Sequence, residues 1–198
     1  MPPEILAVGG AKGVGKTTAL KELQKSPQTQ VVYVSAELNR FSLTKNSKRL
    51  SALHISERDE VRKEYGEGLA EKLTKSSDNK VYVDLHYTDI REDPDKILHP
   101  ALFLSIVNYF VIMTADPKVI HARRSADTTK TRELNLEKIK ADQDSELNCV
   151  TRLAHSYGKA LTQINAALPT AQIISLLLKI PKSTVAPTPH LTQFCQKR

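Results

Sequence analysis

The chain has no tryptophan and few rings of any kind, with six tyrosines and four phenylalanines in 198 residues. A stacking platform for single-stranded nucleic acid needs successive exposed aromatics, so this composition gives such a role little support. Cysteine is equally scarce. Cys149 and Cys195 stand alone, without metal-ligand spacing or a disulfide framework, which points to free thiols in a reducing compartment. Long apolar runs are missing too. The longest are too short to span a bilayer, and the N-terminal residues lack a basic start followed by an apolar core, so a cytoplasmic protein without membrane attachment is expected.

What is present is a basic balance, 29 Lys and Arg against 22 Asp and Glu, or +7 at neutral pH. Nucleotides and nucleic acids would both answer that charge. Short apolar runs recur at 5–8 (ILAV), 31–34 (VVYV), 81–83 (VYV), 109–113 (YFVIM) and 173–178 (IISLLL). None alternates strictly, as expected of strands buried on both faces. Helical patterns separate them. Val61, Tyr65, Leu69 and Leu73 form one stripe, and Val150, Leu153, Tyr157, Leu161, Ile164 and Leu168 a longer one that Pro169 stops. Alternating strands and helices predict an α/β fold with a parallel sheet covered on both sides. Residues 37–56 and 125–136 are polar, basic and weakly periodic, as in segments that cover a site and move. From 181 to 198 the chain is rich in Pro, Ser and Thr, the composition of a disordered tail.

The most informative stretch is AVGGAKGVGKTT, residues 7–18. Gly10-Ala11-Lys12-Gly13-Val14-Gly15-Lys16-Thr17 matches G-x-x-x-x-G-K-S/T, with a buried strand entering and a helix leaving. Glycines let the backbone curl so that N–H groups face phosphate oxygens, and the helix N-terminus adds partial positive charge. Lys16 should reach the β- and γ-phosphates of ATP, Thr17 should offer its hydroxyl to Mg²⁺, and Thr18 is placed for an α-phosphate.

This loop does not say which phosphate chemistry follows. The N-K-x-D motif of a guanine-reading switch is absent. Asp84 ends the third apolar run in VYVDLH, where a strand's C-terminus meets the ligand crevice, so it is a candidate for ordering Mg²⁺ or, beside His86, for touching a second nucleotide. Asp116-Pro117 reads as an N-cap and first-turn proline opening a helix that ends in Arg123 and Arg124. Arg132 follows in the polar segment and Arg152 in the next helix. Guanidinium groups clamp phosphates bidentately, which makes Arg124, Arg132 and Arg152 candidate stabilisers of a moving phosphoryl group. Arg123 reads equally well as a cation favoured by a helix C-terminus.

GGAKGVGKTT, VYVDLH, TADPKVIHARR, DTTKTREL and TRLAHSYG, in this order over residues 4–178, resemble the archaeal-type adenylate kinases, small P-loop nucleoside monophosphate kinases. The resemblance implies a three-layer P-loop kinase fold with a five-stranded parallel sheet in the order 2-3-1-4-5. It also implies one kinase domain over 1–180, with a monophosphate-binding insertion at 37–76 and a short lid at 125–136. The activity implied is transfer of the γ-phosphate of Mg-ATP to AMP, in an enzyme that forms trimers. Lys16, Thr17, Asp84, His86, Arg124, Arg132 and Arg152 match the family's site positions, and Thr17 and Asp84 would serve the metal. The acceptor half departs from the pattern. Ser35-Ala36-Glu37-Leu38-Asn39 stands where a Gly and a Thr or Asp are usual, and Lys130 replaces a lid arginine. The monophosphate-gripping arginine falls near Ser51, leaving Arg49 as its substitute. Another monophosphate, a hydroxyl metabolite or a polynucleotide end, and an RNA-associated ATPase, stay open as alternatives.

Overall fold

The computed structural model describes residues 3–27, 29–89, 96–129 and 131–180. The tail at 181–198, with Cys195, and the lid residue Lys130 lie outside the described residues. Five strands, β1 (Glu4–Gly9), β2 (Thr29–Tyr33), β3 (Lys80–Asp84), β4 (Tyr109–Thr114) and β5 (Ala160–Asn165), form one parallel sheet. Its order is β2-β3-β1-β4-β5, as the resemblance implies. The helices are α1 (Lys16–Leu23), α2 (Val34–Asn46), α3 (Ile55–Thr74), α4 (Ala101–Ile106), α5 (Pro117–Ala126), α6 (Leu136–Tyr157) and α7 (Thr170–Lys179).

The central strands are buried on both faces because both alternating sets are apolar. Ile5 and Ala7 of β1, Val81 and Val83 of β3, and Phe110 and Ile112 of β4 join a core with α3, α4 and the second half of α6. Leu6 and Val8, Tyr82, and Val111 and Met113 point the other way, into a core with α1, α5 and α7. A third, smaller cluster of Leu38, Leu53 and Val61, with Phe41, Leu50 and Tyr65 against it, packs α2 on α3. The predicted stripe of α3 is therefore shared, Val61 serving the small cluster and Leu69 and Leu73 the main core.

Three expectations are corrected. The long helical stripe does not run to Leu168: α6 ends at Tyr157, where Gly158 at φ 60° caps it, and Leu161 and Ile164 belong to β5. The run IISLLL is not a strand but the body of α7, with Ile173 and Leu177 inward and Leu176 and Leu178 more than 40% exposed. A short apolar run fits a buried strand or a helix equally, and only its flanks decide; here Pro169 starts a helix. The polar stretch after β2 is also more regular than expected, since α2 begins at Val34 and one 3-10 turn covers Leu50–Ala52.

Candidate active site

A cleft of about 1170 Å³ opens along the C-terminal edge of the sheet, where parallel strands place ligands. Its floor is the loop between β1 and α1. Gly10, Gly13 and Gly15 take φ values of 140°, 84° and 113°, a region L side chains avoid. At Gly13 space forbids a side chain as well, since a Cβ would stand 2.9 Å from Arg124 Cγ. Ala11, Lys12, Gly13, Gly15, Lys16, Thr17 and Thr18 line the cleft. Gly10 and Val14 lie behind them, buried against the sheet.

Lys16 is only 5% exposed, and its ammonium donates to the carbonyl of Gly10 across the loop. Burial holds it below the usual lysine range, against the opposing pull of Asp84, Glu146 and Asp142. Thr17 Oγ1 donates to Asp84 Oδ2 at 3.0 Å, so the loop hydroxyl and the carboxylate at the end of β3 stand side by side. These hard oxygens suit Mg²⁺, which keeps waters and substrate phosphates rather than a full protein cage. Accordingly, no group of three or more His, Cys, Asp or Glu able to hold a metal occurs among the described residues.

The arginines divide by what they touch. Asp116 caps α5 by accepting from Lys118 N–H at 2.7 Å, which aims the last turn of the helix at the loop. There Arg123 donates to Val14 O and, at 2.9 Å, to Ala166 O. Arg124 Nε donates to Lys12 O at 2.8 Å, Nη1 to Glu133 O at 3.0 Å and Nη2 to Asp142 Oδ2 at 2.9 Å. Both side chains hold loop carbonyls, and a trans peptide turns the following N–H groups, those of Gly13 and Gly15, the opposite way. Arg124 thus shapes the cradle, and its three nitrogens are spent on protein groups. Arg132 faces the cleft from the segment after α5, its Nε 3.2 Å from Asp127 Oδ2.

Two expected residues stand elsewhere. Arg152 does not line the cleft and is exposed on the last turns of α6. The reason is topological: α6 leads into β5, so its C-terminal end lies at the opposite edge of the sheet from the site. Arg49 is exposed before the 3-10 turn and is also absent from the lining. Glu37, expected beside the acceptor, accepts instead from Tyr65 Oη at 3.0 Å in the small core.

His86 does line the cleft, and with it comes a pair that sequence reasoning missed. His86 Nδ1 lies 2.7 Å from Glu146 Oε1, while Glu146 Oε2 accepts from Tyr87 N–H at 2.9 Å. Burial, and Lys16 after it, hold the His86 imidazole below its ordinary range, opposed by the bond to Glu146. His99 Nε2 donates to the carbonyl of His86 at 2.8 Å, and burial pushes His99 down to about 4. The signal for Asp142 and Glu146 was present: both fall on the inward stripe of α6 defined by Ile139, Cys149, Val150 and Leu153, where a carboxylate is costly unless partnered. At the other end, Ala166, Leu168 and Ile173 form an apolar wall suited to a nucleobase.

A family model described as an AAA domain matches residues 9–140, well over half of the chain. Among solved structures, a deoxyadenosine kinase from M. mycoides, determined with products dCMP and a flexible dCDP bound, superposes with a TM-score of 0.56 at 13% identity, over 88% of this chain and 96% of that one. Shikimate kinase from Bacteroides thetaiotaomicron gives 0.55 at 16% identity, over 89% and 99%. At these identities the likeness is one of fold: a parallel five-stranded sheet with the phosphate loop after its central strand. The chain belongs to the AAA domain family.

Proposed function

We propose that the protein is a phosphotransferase that moves the γ-phosphoryl group of Mg-ATP to a small acceptor. The observation that carries this reading is the meeting of Lys16, Thr17 and Asp84 on the glycine loop, with Arg132 facing them across the cleft. Phosphoryl transfer asks for positioning and for stabilisation of spread negative charge, and this cluster provides both. The loop amides and Lys16 would hold the β- and γ-phosphates, with the base against Ala166, Leu168 and Ile173. Thr17 and Asp84 would hold Mg²⁺, which neutralises charge on the β- and γ-oxygens when bound. Both solved neighbours are named as kinases, which supports transfer over simple hydrolysis.

AMP is the acceptor that the resemblance to archaeal-type adenylate kinases implies, and it is the first to assay. Lys16→Ala should lower turnover of labelled Mg-ATP at least about 100-fold, the order of loss when one stabilising donor is removed from a transition state. Turnover that survived this change would remove the phosphotransferase reading.

A further inference from the structure

We infer that the acceptor is a neutral alcohol, and that His86, held by Glu146, receives the proton its hydroxyl gives up. The inference rests on the phosphotransferase reading above and names the substrate class for that site. Two independent features carry it.

The first is the division of charge in the cleft. Among the described residues, the cations that line it are Lys12, Lys16, Arg123, Arg124, Arg132 and Lys138, from the loop, α1, α5, the segment after it and α6. The wall made by the ends of β2 and β3 offers Ser35, Asp84, His86 and Asp89, two carboxylates and no arginine or lysine. Lys12 leans across to that wall, but onto Asp89 at 3.4 Å. A monophosphate brings a charge of about −1.5 to −2. Placed here it would face carboxylates, since Arg49 does not reach the cleft. A neutral alcohol meets no such repulsion.

The second is the form of the His86–Glu146 pair. Glu146 is closed off, its side chain 1% exposed, while that of His86 is 20% exposed and lies on the cleft wall. A carboxylate on Nδ1 fixes the tautomer, so the proton sits on Nδ1 and Nε2 keeps its lone pair. The bond from His99 to the His86 carbonyl fixes the backbone beneath the ring. A phosphate acceptor attacks as an anion and needs no proton removed. A hydroxyl gains from a positioned proton acceptor. In the step, the alcohol oxygen bonds to the γ-phosphorus as the bond from that phosphorus to the β,γ-bridging oxygen breaks, its electron pair leaving on ADP. The hydroxyl proton passes to His86 Nε2 and later to solvent, so atoms and charge balance without another reactant.

The test compares acceptors on the full chain with labelled Mg-ATP: adenosine, cytidine and sorbitol against AMP and CMP. At least one alcohol should exceed both monophosphates in kcat/KM by about tenfold or more, the discrimination a single matched polar contact gives. Monophosphates that match or exceed the alcohols, or a panel in which no alcohol is phosphorylated, would overturn the inference. With the preferred alcohol, His86→Asn keeps a donor for Glu146 but no basic nitrogen, and should lower kcat about 100-fold. ATP affinity should stay unchanged, and added imidazole should restore part of the rate to His86→Ala. A kcat indifferent to His86 also overturns it. Lys16-dependent transfer to AMP alone would sink the alcohol while leaving the phosphotransferase standing, whereas loss of Lys16 dependence would remove the broader reading.

Discussion

Arg124 shows how a residue of the expected type in the expected place takes a different task. Cations at the end of this helix were read as clamps on the transferring phosphoryl group, yet the guanidinium is buried and shared among Lys12 O, Glu133 O and the Asp142 carboxylate. It ties the phosphate loop to the segment after α5 and to α6. Removing it leaves two carbonyls and a mostly buried carboxylate without their donor, so Arg124→Ala should cost about 3 kcal/mol of stability, at the low end for breaking a buried pair. Arg124→Lys should recover little, because an ammonium cannot span three acceptors in a planar fork. Urea unfolding of the three proteins, with ATP titration of each, checks this. A destabilisation within about 0.5 kcal/mol, the range of an ordinary surface change, would mean that Arg124 is not a strut. The sequence placed Arg124 at the site because helix C-termini and loops meet there in such sheets. It could not reveal the strut, since Lys12 and Asp142 become its partners only through the tertiary fold.

At the scale of elements, legibility followed the strength of local signals. The glycine loop was plain because strand, glycines, lysine and helix agree within fourteen residues (4–17), and the structure delivers each at that place. The central strands were plain because both faces are apolar. The edge strand β5 was not: Ala160, Gln163 and Asn165 are exposed, and its two larger apolar residues continue the spacing of α6. The stop signal was Gly158, one residue type outweighing a periodicity. A Cβ there would meet nothing within 4 Å, so the cost of replacing it is conformational alone. Gly158→Ala should therefore lower stability by only about 1 kcal/mol, the usual cost of a left-handed conformation in an L-residue. Gly9→Ala is the contrast: its Cβ would sit 2.0 Å from the ring of Tyr87, whose hydroxyl donates to Ala7 O and Val111 O. Gly9→Ala should lose several times more in a side-by-side thermal melt. Similar losses would show that Gly158 also has a packing role.

Across the whole molecule, α6 connects the two halves of the site. Its Asp142 holds the arginine that shapes the donor loop, and Glu146, one turn on, holds the histidine on the opposite wall. Around Glu146 the fold buries two histidines whose neutral forms it favours, and this sets how the protein answers acid. His99 takes up a proton only at about 4, held there by burial against the favourable bond to the His86 carbonyl. In the unfolded chain the same ring protonates near about 6.5. Between those values the unfolded state binds more protons, so stability should be full above about 6.5 and fall as pH drops toward about 4. His86, shifted in the same direction, adds to that slope. Exposed carboxylates such as Asp127 and Glu133, held low by their hydrogen bonds, contribute a further loss at lower pH that does not depend on His99. The informative comparison is His99→Gln, which keeps an N–H for the His86 carbonyl but stays neutral throughout. Melting midpoints measured from pH 7.5 to 4 should fall less steeply below about 6.5 in the variant than in the parent. Parallel curves would mean that the acid response lies outside this histidine pair, and that Glu146 is screened from His99 by more than the ring between them.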